Sequence, residues 1–209
     1  MSARELLHRY LDECPLIAIV RGITPAEAEA IGEAVQEGGI RIIEVPLNSP
    51  DPLRSIELLA KRFGDSALVG AGTVRSTDDV RAVQDAGGRI LVSPDTNPEV
   101  IAATAQAGLV SSPGFFTPSE AFAAIRAGAT SLKLFPAEGA SPSVLKAHLA
   151  VLPSDIAVLP VGGIHPDNMR PWLEAGATGF GLGSGLYKRG QSPAETLRKA
   201  RAYVEALRR

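Results

Sequence analysis

Short apolar runs alternate along the chain with longer helical stretches. Five of these stretches end in glycine, at Gly38, Gly87, Gly108, Gly128 and Gly176. Glycine just past a helix is the expected C-cap, because it tolerates the left-handed conformation that is common there. The apolar runs are typical of strands; they are LIAIVRG from Leu16, RIIEVPL, ALVGAGTV from Ala67, RILVSPD, LVSSPGF, SLKLFPA, IAVLPVGG from Ile156 and TGFGLGS. The pattern predicts eight strand–helix units.

Strands that alternate with helices pair in parallel and connect through right-handed crossovers. Eight such units in 209 residues predict an α/β protein with a single (β/α)8 TIM barrel, a fold that spans ~200 to more than 400 residues. A doubly wound open sheet is the alternative. A first helix within residues 1–14 has no preceding strand, and we expect it to cover the bottom of the barrel. With no linker in the sequence, we expect one domain over residues 1–209.

The net charge of −2, without any basic block, argues against nucleic acid or an anionic membrane as a partner. No segment approaches the ~18 uninterrupted apolar residues of a membrane span. One cysteine, Cys14, excludes an internal disulfide framework and fits a reducing compartment. The N-terminal stretch lacks the apolar segment of a secretory signal. We therefore expect a cytoplasmic location.

A lysine interrupts the sixth apolar run, SLKLFPA, at Lys133. With a strand period of two, Leu132 and Leu134 share one face and Lys133 points to the other. If the leucines face the helices, the lysine points into the barrel. A buried ammonium is costly, and burial lowers its pKa, which makes the amine a nucleophile. A surface lysine that protects an edge strand is the alternative, but a closed barrel has no edges.

Glu44 is the lone carboxylate inside the second apolar run. It can divide proton transfer and covalent catalysis with Lys133, or it can form a structural ion pair with Arg21 or Lys133. Arg21 ends the first run, and its guanidinium can hold a substrate carboxylate or form a loop salt bridge. Thr73 brings a hydroxyl to the same predicted rim.

Glycines follow the last two predicted strands. Gly162 and Gly163 end the seventh run, and GLGSG spans residues 181–185 after the eighth. Glycine lets backbone N–H groups approach a ligand closely, and loops after strands seven and eight form the recurring phosphate site of these barrels. A glycine pair can also be a tight turn. Two such stretches at the two expected strands favour a phosphate site.

The histidines lack the spacing of metal ligands, since His8, His148 and His165 fall in the first helix, a late helix and a loop. Asp95 can bind a ligand or cap a helix. The residues point to chemistry on a phosphorylated carbonyl compound without a metal or another cofactor.

From about Pro15 to Lys188 the chain resembles the class I 2-keto-3-deoxy-6-phosphosugar-acid aldolases. The resemblance rests on the stretches PLIAIVRGI, IIEVPLNSP, GAGTV, SLKLFPA, PVGG and GLGS. It implies a metal-independent homotrimer in which Lys133 forms the Schiff base and Glu44 is the acid/base. It further implies that the sugar-acid part of the substrate is bound by Arg21, Thr73, Asn48, Val161, Pro94 and Phe135. The phosphate would be bound by Gly162, Gly163, Gly183 and Ser184.

Two positions separate branches of this family. Gluconate-type enzymes usually carry arginine where this chain has Asn48, and threonine where it has Val161. EVPLNSP and PVGG are instead similar to the branch that cleaves 2-dehydro-3-deoxy-6-phosphogalactonate into pyruvate and glyceraldehyde 3-phosphate. The two sugar acids differ at C4, so one side chain near that hydroxyl can discriminate between them.

Other functions stay open at this point. An aldolase can prefer or also accept the gluconate epimer (KDPG) or 4-hydroxy-2-oxoglutarate. A phosphosugar isomerase, an epimerase or a thiamine-phosphate-type synthase would share the late glycines, and so would a phosphate-binding protein without catalysis. The lone lysine of the sixth strand favours an aldolase.

Overall fold

The computed structural model describes residues 1–208. Within that range the α-helices are α1 (Ala3–Glu13), α2 (Pro25–Glu37), α3 (Pro52–Phe63), α4 (Thr77–Asp85), α5 (Pro98–Gln106), α6 (Pro118–Arg126), α7 (Pro142–Leu149), α8 (Met169–Glu174) and α9 (Pro193–Ala206). The strands are β1 (Leu16–Ile19), β2 (Ile42–Pro46), β3 (Leu68–Gly72), β4 (Ile90–Val92), β5 (Val110–Ser112), β6 (Gly114–Phe115), β7 (Ser131–Leu134), β8 (Ala157–Pro160) and β9 (Phe180–Leu182).

Local sequence explains where the helices begin. Six of the nine helices in the described range start with proline, whose fixed φ suits the first helical position and whose missing N–H costs nothing there. Ser2, Ser76 and Thr117 precede α1, α4 and α6, and each forms a capping box with an acidic residue three positions on. The predicted alternation of strands and helices is confirmed.

All strand pairs in residues 1–208 are parallel. One sheet has six strands in the order β5-β4-β3-β2-β1-β9, and a second has three in the order β6-β7-β8. The structure therefore has nine strands where the sequence predicted eight, because Pro113 divides the fifth run into β5 and β6. Proline has no N–H to donate to a ladder, so the strand is interrupted there.

Hydrogen bonds connect the two sheets where they meet. Lys133 N donates to Pro113 O over 2.9 Å, and Thr130 N donates to Ser111 O over 2.9 Å. On the other side a parallel bridge joins Val161 to Gly181. The first strand, β1, pairs with both β2 and the last strand, β9. The result is an α/β protein with a curled parallel sheet.

Side chains alternate between two apolar clusters. Ile43 and Val45 belong to the larger cluster, between the strands and the surrounding helices, whereas Ile42 points to the opposite face. On that inner face Leu7, Tyr10 and Leu11 of α1 pack against strand residues that include Ile17, Ile42, Leu68, Ile90, Val110 and Leu159. Helix α1 therefore covers one end of the strands from inside the curl.

None of the helices within residues 1–208 combines the length and the apolar composition that a membrane crossing needs.

Candidate active site

Lys133 lies on β7 with its side chain on the inner face of the curled sheet. Its neighbours Leu132 and Leu134 are fully buried in the outer cluster, as a strand period of two requires. The lysine is itself 6% exposed. Its amine lies 4.6 Å from the centroid of the Phe135 ring, within the range of a cation–π contact. The strand thus places a buried amine on the inner face of the sheet.

Glu44 reaches the same inner face from β2. It follows Ile42 at the same side of the strand and is 1% exposed. Its Oε2 atom has no hydrogen-bond partner within the described chain, so no direct bond to Arg21 or Lys133 satisfies that oxygen. A buried carboxyl oxygen without a partner is costly and is typical of functional sites.

Burial changes the protonation of both groups. Desolvation raises the pKa of Glu44 to about 7, although the positive charges of Lys133 and Arg21 act in the opposite direction. Desolvation also lowers the pKa of Lys133; Glu44 opposes this shift and Arg21 adds to it. The two pKa values therefore move toward each other and toward neutral pH. Near neutral pH such a pair can exchange protons with a bound molecule.

Arg21 connects three strand ends. Its Nη1 atom donates to Asn48 Oδ1 and lies 3.5 Å from Thr73 Oγ1, so residues after β1, β2 and β3 meet at one guanidinium. Thr73 has a φ of 59°. A β-branched residue in this left-handed region is strained, and such strain is concentrated at functional sites.

A cavity of about 300 Å³ opens beside these residues, a size that suits a small-molecule ligand. The lining residues are Ile19, Arg21, Lys133, Phe135, Glu138, Val161, Gly162, Gly163, Ile164, His165, Gly181, Gly183, Ser184 and Gly185. Gly162 and Gly163 have φ values of 111° and 64°, which side-chain-bearing residues rarely adopt. The glycine pair therefore exposes backbone to the cavity.

The structure brings most of the predicted site residues together. Those that line the cavity are Arg21, Lys133, Phe135, Val161, Gly162, Gly163, Gly183 and Ser184. Asn48 and Thr73 join it through Arg21, and Glu44 interacts electrostatically with Arg21 and Lys133. Pro94 is not among the lining residues of the described chain; its carbonyl oxygen packs against Gly114, which pairs with Lys133. His165 lies in the cavity wall beside the glycine pair.

Two contributors were missed from the sequence. Glu138, two residues after the proline that ends the sixth run, lines the cavity. Gly72 ends β3, and a methyl group built on it would lie 1.6 Å from Glu44 Oε2. Gly72 therefore leaves the space that the Glu44 carboxyl group fills. The motif GAGTV contains this glycine, but its contact with a residue 28 positions earlier has no local sequence signal.

Across residues 1–208, no three side chains of histidine, cysteine, aspartate or glutamate group as metal ligands.

Comparison with known proteins agrees with this geometry. The profile of the KDPG and KHG aldolase family matches residues 7–200. The chain is 47% identical over 200 residues to the 2-dehydro-3-deoxy-6-phosphogalactonate aldolase of Escherichia coli (strain K12), covering 96% of this chain and 98% of that protein. A solved structure described as native KDPGal superimposes with a TM-score of 0.92 at 47% identity, covering 94% of this chain and 95% of the other.

A second solved structure is a cube-shaped, porous protein cage designed by fusing symmetric oligomeric domains. It superimposes with a TM-score of 0.91 at 47% identity, covering 93% of this chain and 72% of the cage subunit. The match to the family profile extends over nearly the whole chain and includes both strands that carry Glu44 and Lys133. This protein belongs to the KDPG and KHG aldolase family.

Proposed function

We propose that this aldolase cleaves 2-dehydro-3-deoxy-6-phospho-D-galactonate into pyruvate and D-glyceraldehyde 3-phosphate through a Schiff base on Lys133. The observation that carries the proposal is a buried lysine on β7, with a lowered pKa, beside a buried glutamate whose pKa is raised to about 7. A neutral amine can attack a ketone, and a carboxyl group that titrates near neutral pH can both accept and return a proton.

The cycle begins when neutral Lys133 attacks the C2 ketone and forms a carbinolamine. Glu44 donates the proton with which the hydroxyl departs as water, and a protonated imine remains. The Glu44 carboxylate then takes the C4 hydroxyl proton. The C3–C4 bond breaks, its electron pair moves into the imine, and D-glyceraldehyde 3-phosphate leaves.

An enamine of pyruvate remains on Lys133 after this step. Glu44 returns its proton to C3, which regenerates the protonated imine. Water adds to the imine carbon, the Glu44 carboxylate takes up the proton that is released, and pyruvate departs, which restores the neutral lysine amine and the protonated Glu44. The chain's own residues thus supply every proton transfer in the cycle.

We expect a guanidinium group and a glycine-rich backbone to orient the substrate in the cavity. Arg21, with Asn48 and Thr73 as its neighbours, would hold the C1 carboxylate. Backbone at Gly162, Gly163 and Gly183 and the Ser184 hydroxyl would hold the 6-phosphate, while Phe135 packs beside Lys133. Binding at both ends of the substrate can contribute several kcal/mol to catalysis by fixing the reacting bond near Lys133.

Two residues support the galactonate epimer as substrate. Val161 lines the cavity and is 7% exposed, so it would offer methyl groups to a ligand where a threonine would offer a hydroxyl. Asn48 holds Arg21 by a hydrogen bond, which an arginine at this position would not accept. Pro94 stays a proposed substrate contact from the family resemblance.

The finer architecture is also a proposal. We infer that the strand-helix units close into one (β/α)8 barrel domain over residues 1–209, with α1 covering its bottom. Support comes from the hydrogen bonds at both junctions between the sheets and from the inner cluster that α1 forms with the strands. Site residues at the carboxyl ends of the strands agree with the usual position of barrel active sites.

The test compares pyruvate release from the galactonate and gluconate epimers as kcat/KM, with a chelator present. Strong preference for the galactonate supports the proposal, whereas equal rates or preference for the gluconate contradicts the roles of Asn48 and Val161. 4-Hydroxy-2-oxoglutarate, which has a second carboxylate in place of the phosphorylated end, tests the remaining alternative substrate.

Lys133→Ala tests the covalent step. Borohydride with pyruvate should add mass to the peptide that contains Lys133 in the wild type, and the variant should show no such increase. Near-normal turnover by Lys133→Ala would rule out the Schiff base. Lys146→Ala, an exposed lysine on α7, is the matched control and should still be trapped on Lys133.

A further inference from the structure

Glu138 places a carboxylate against the glycine pair. The residue lies in a short 3-10 turn (Ala137–Gly139) that follows β7. A methyl group built on Gly162 would lie 2.0 Å from Glu138 Oε2, and one built on Gly163 would lie 2.7 Å from Glu138 Cγ. The side chain therefore covers the backbone of both glycines, within the cavity that Gly183 and Ser184 also line.

No pairing with another group of the described chain explains this position of the Glu138 carboxylate. Within residues 1–208 the Glu138 carboxylate takes part in no ion pair and accepts no hydrogen bond. The basic side chains of lysine or arginine in the cavity wall are Arg21 and Lys133, and both interact with Glu44. What lies next to the carboxylate is a stretch of glycine backbone that suits an anion.

A bound phosphate and this carboxylate exclude each other. Both are anions, and Glu138 Oε2 occupies the space beside Gly162 in which a ligand would contact the glycine backbone. Two negative charges at contact distance repel each other. The carboxylate must therefore leave before a phosphate group can bind at the glycines.

The turn allows this movement without a change in the fold. Glu138 is exposed, so its side chain can rotate into solvent. The backbone around it is fixed, because Ala137 N donates to Val161 O over 2.9 Å and Gly139 N donates to Pro136 O over 3.0 Å. Rotation of one side chain is enough to clear the glycine pair.

We infer that Glu138 is an internal competitor for the phosphate site: its carboxylate covers the Gly162–Gly163 backbone in the free enzyme and is displaced by the phosphate of the substrate. The inference rests on the phosphate site proposed above. The competition weakens the binding of phosphorylated substrate and phosphorylated product alike, and the returning carboxylate promotes release of the product. Ligands without a phosphate, such as pyruvate, do not need the displacement.

The test measures binding of inorganic phosphate by calorimetry, which requires no turnover. Glu138→Gln removes the charge and should lower the dissociation constant by about fivefold or more. Glu138→Asp keeps the charge on a side chain one methylene shorter, and its dissociation constant should fall between the two. Glu205→Gln, an exposed glutamate on α9 outside this cavity, is the matched control and should bind phosphate as the wild type does.

A second measurement separates phosphate from the rest of the substrate. In Glu138→Gln the inhibition constant of inorganic phosphate against the sugar acid should fall by the same factor as the dissociation constant. The concentration of pyruvate that gives half-maximal borohydride trapping should change less than twofold.

The outcomes distinguish this inference from the proposed function. Unchanged or weaker phosphate binding by Glu138→Gln would overturn the inference and leave the aldolase reaction untouched. If Glu138→Gln bound phosphate more tightly but the wild-type protein released no pyruvate from the sugar acid, the inference would be supported and the proposed function contradicted. If neither form bound phosphate, the phosphate site and the competition would both be wrong.

Discussion

At the scale of single residues, the site depends on two ionisable groups that the strands bury. Glu44 and Lys133 sit at inward positions of β2 and β7, between neighbours that pack into the outer core. Loss of water disfavours both charged forms, which raises the pKa of the acid and lowers the pKa of the amine. Each charge partly offsets the shift of the other. Burial therefore favours the neutral amine and the protonated carboxyl group, the forms with which the proposed cycle begins.

The first prediction concerns the titration of Glu44. In protein labelled at glutamate carboxyl carbons, NMR should show one carboxyl group that titrates near pH 7, and Glu44→Gln should lack that signal. Lys133→Ala should move the titration to higher pH, because the lysine charge lowers this pKa. A Glu44 signal that titrates near the ordinary value of 4.5 would contradict the burial argument.

The sign of the linked stability follows from the same shift. The folded protein keeps the Glu44 proton up to about pH 7, whereas the unfolded chain loses it near 4.5. Between these values the folded state binds more protons, so the contribution of Glu44 to the free energy of unfolding falls as the pH rises. This is the cost of burying a carboxyl group, which the proposed cycle uses for proton transfer.

The second prediction tests Gly72 as a positioning residue. In Gly72→Ala the new methyl group would overlap Glu44 Oε2 and displace the carboxyl group. We expect kcat/KM to fall by roughly 100-fold, the cost of misplacing a reacting group by about 1 Å. The acid limb of the pH–rate profile should also shift, because the surroundings of Glu44 change.

Two comparisons show that this loss is local. Gly72→Ala should bind inorganic phosphate within twofold of the wild type, since the phosphate site lies on other loops. Gly139→Ala is the matched control, because the nearest atom to its methyl group would be 3.6 Å away, an ordinary contact. Wild-type kcat/KM for Gly72→Ala would show that Glu44 does not need this space.

At the scale of elements, strand period and helix packing decide where the site can form. Each strand sends alternate side chains outward to the helices and inward to the centre of the curl. Near α1 the inward positions are apolar, as at Ile42. The next inward residue of β2, two positions closer to its carboxyl end, is Glu44. Helix α1 thus packs against the apolar end of the interior, and the cavity opens at the polar end.

The third prediction tests the packing of α1. Leu7 is fully buried in the inner cluster, so Leu7→Ala should lower the free energy of unfolding by about 2–5 kcal/mol. Leu53→Ala, a 36% exposed leucine on α3, is the matched control and should change it by about 0.5 kcal/mol or less. Urea unfolding measures both. Equal effects of the two substitutions would contradict a structural role for α1.

At the scale of the whole molecule, one chain carries every residue that the proposed cycle uses. Glu44, Lys133 and the glycine loops converge within residues 1–208. Assembly is a separate property, for which the family resemblance implies a homotrimer. Location in the cytoplasm stays a prediction from the sequence.

The fourth prediction is the mass of the assembly. Light scattering after size exclusion should give a mass close to three times the 21.8 kDa of one chain. The value should stay constant on tenfold dilution if the trimer is stable. A mass of one or two chains would contradict the trimer, while the reaction proposed for the single chain would still be open to test.

The sequence by itself determined much of this protein. The alternation of apolar runs with glycine-ended helices predicted an α/β fold with parallel strands, because strand and helix periods are local properties. The lysine inside SLKLFPA and the glutamate inside RIIEVPL were visible as charges at positions where burial is the rule. Resemblance in these same stretches indicated the family, which the profile match confirms.

Tertiary structure alone decided the contacts between distant segments. It brought Arg21, Asn48 and Thr73 together, placed the carboxylate of Glu138 over Gly162 and Gly163, and made Gly72 the space for Glu44. The break of the fifth run at Pro113 has a local cause instead, because proline has no N–H group to donate to the ladder, although we predicted one strand there. The local sequence sets the period of a strand or helix, and with it the face on which a side chain lies. Which side chains meet across the interior depends on how all the strands pack, and no single stretch of sequence encodes those contacts.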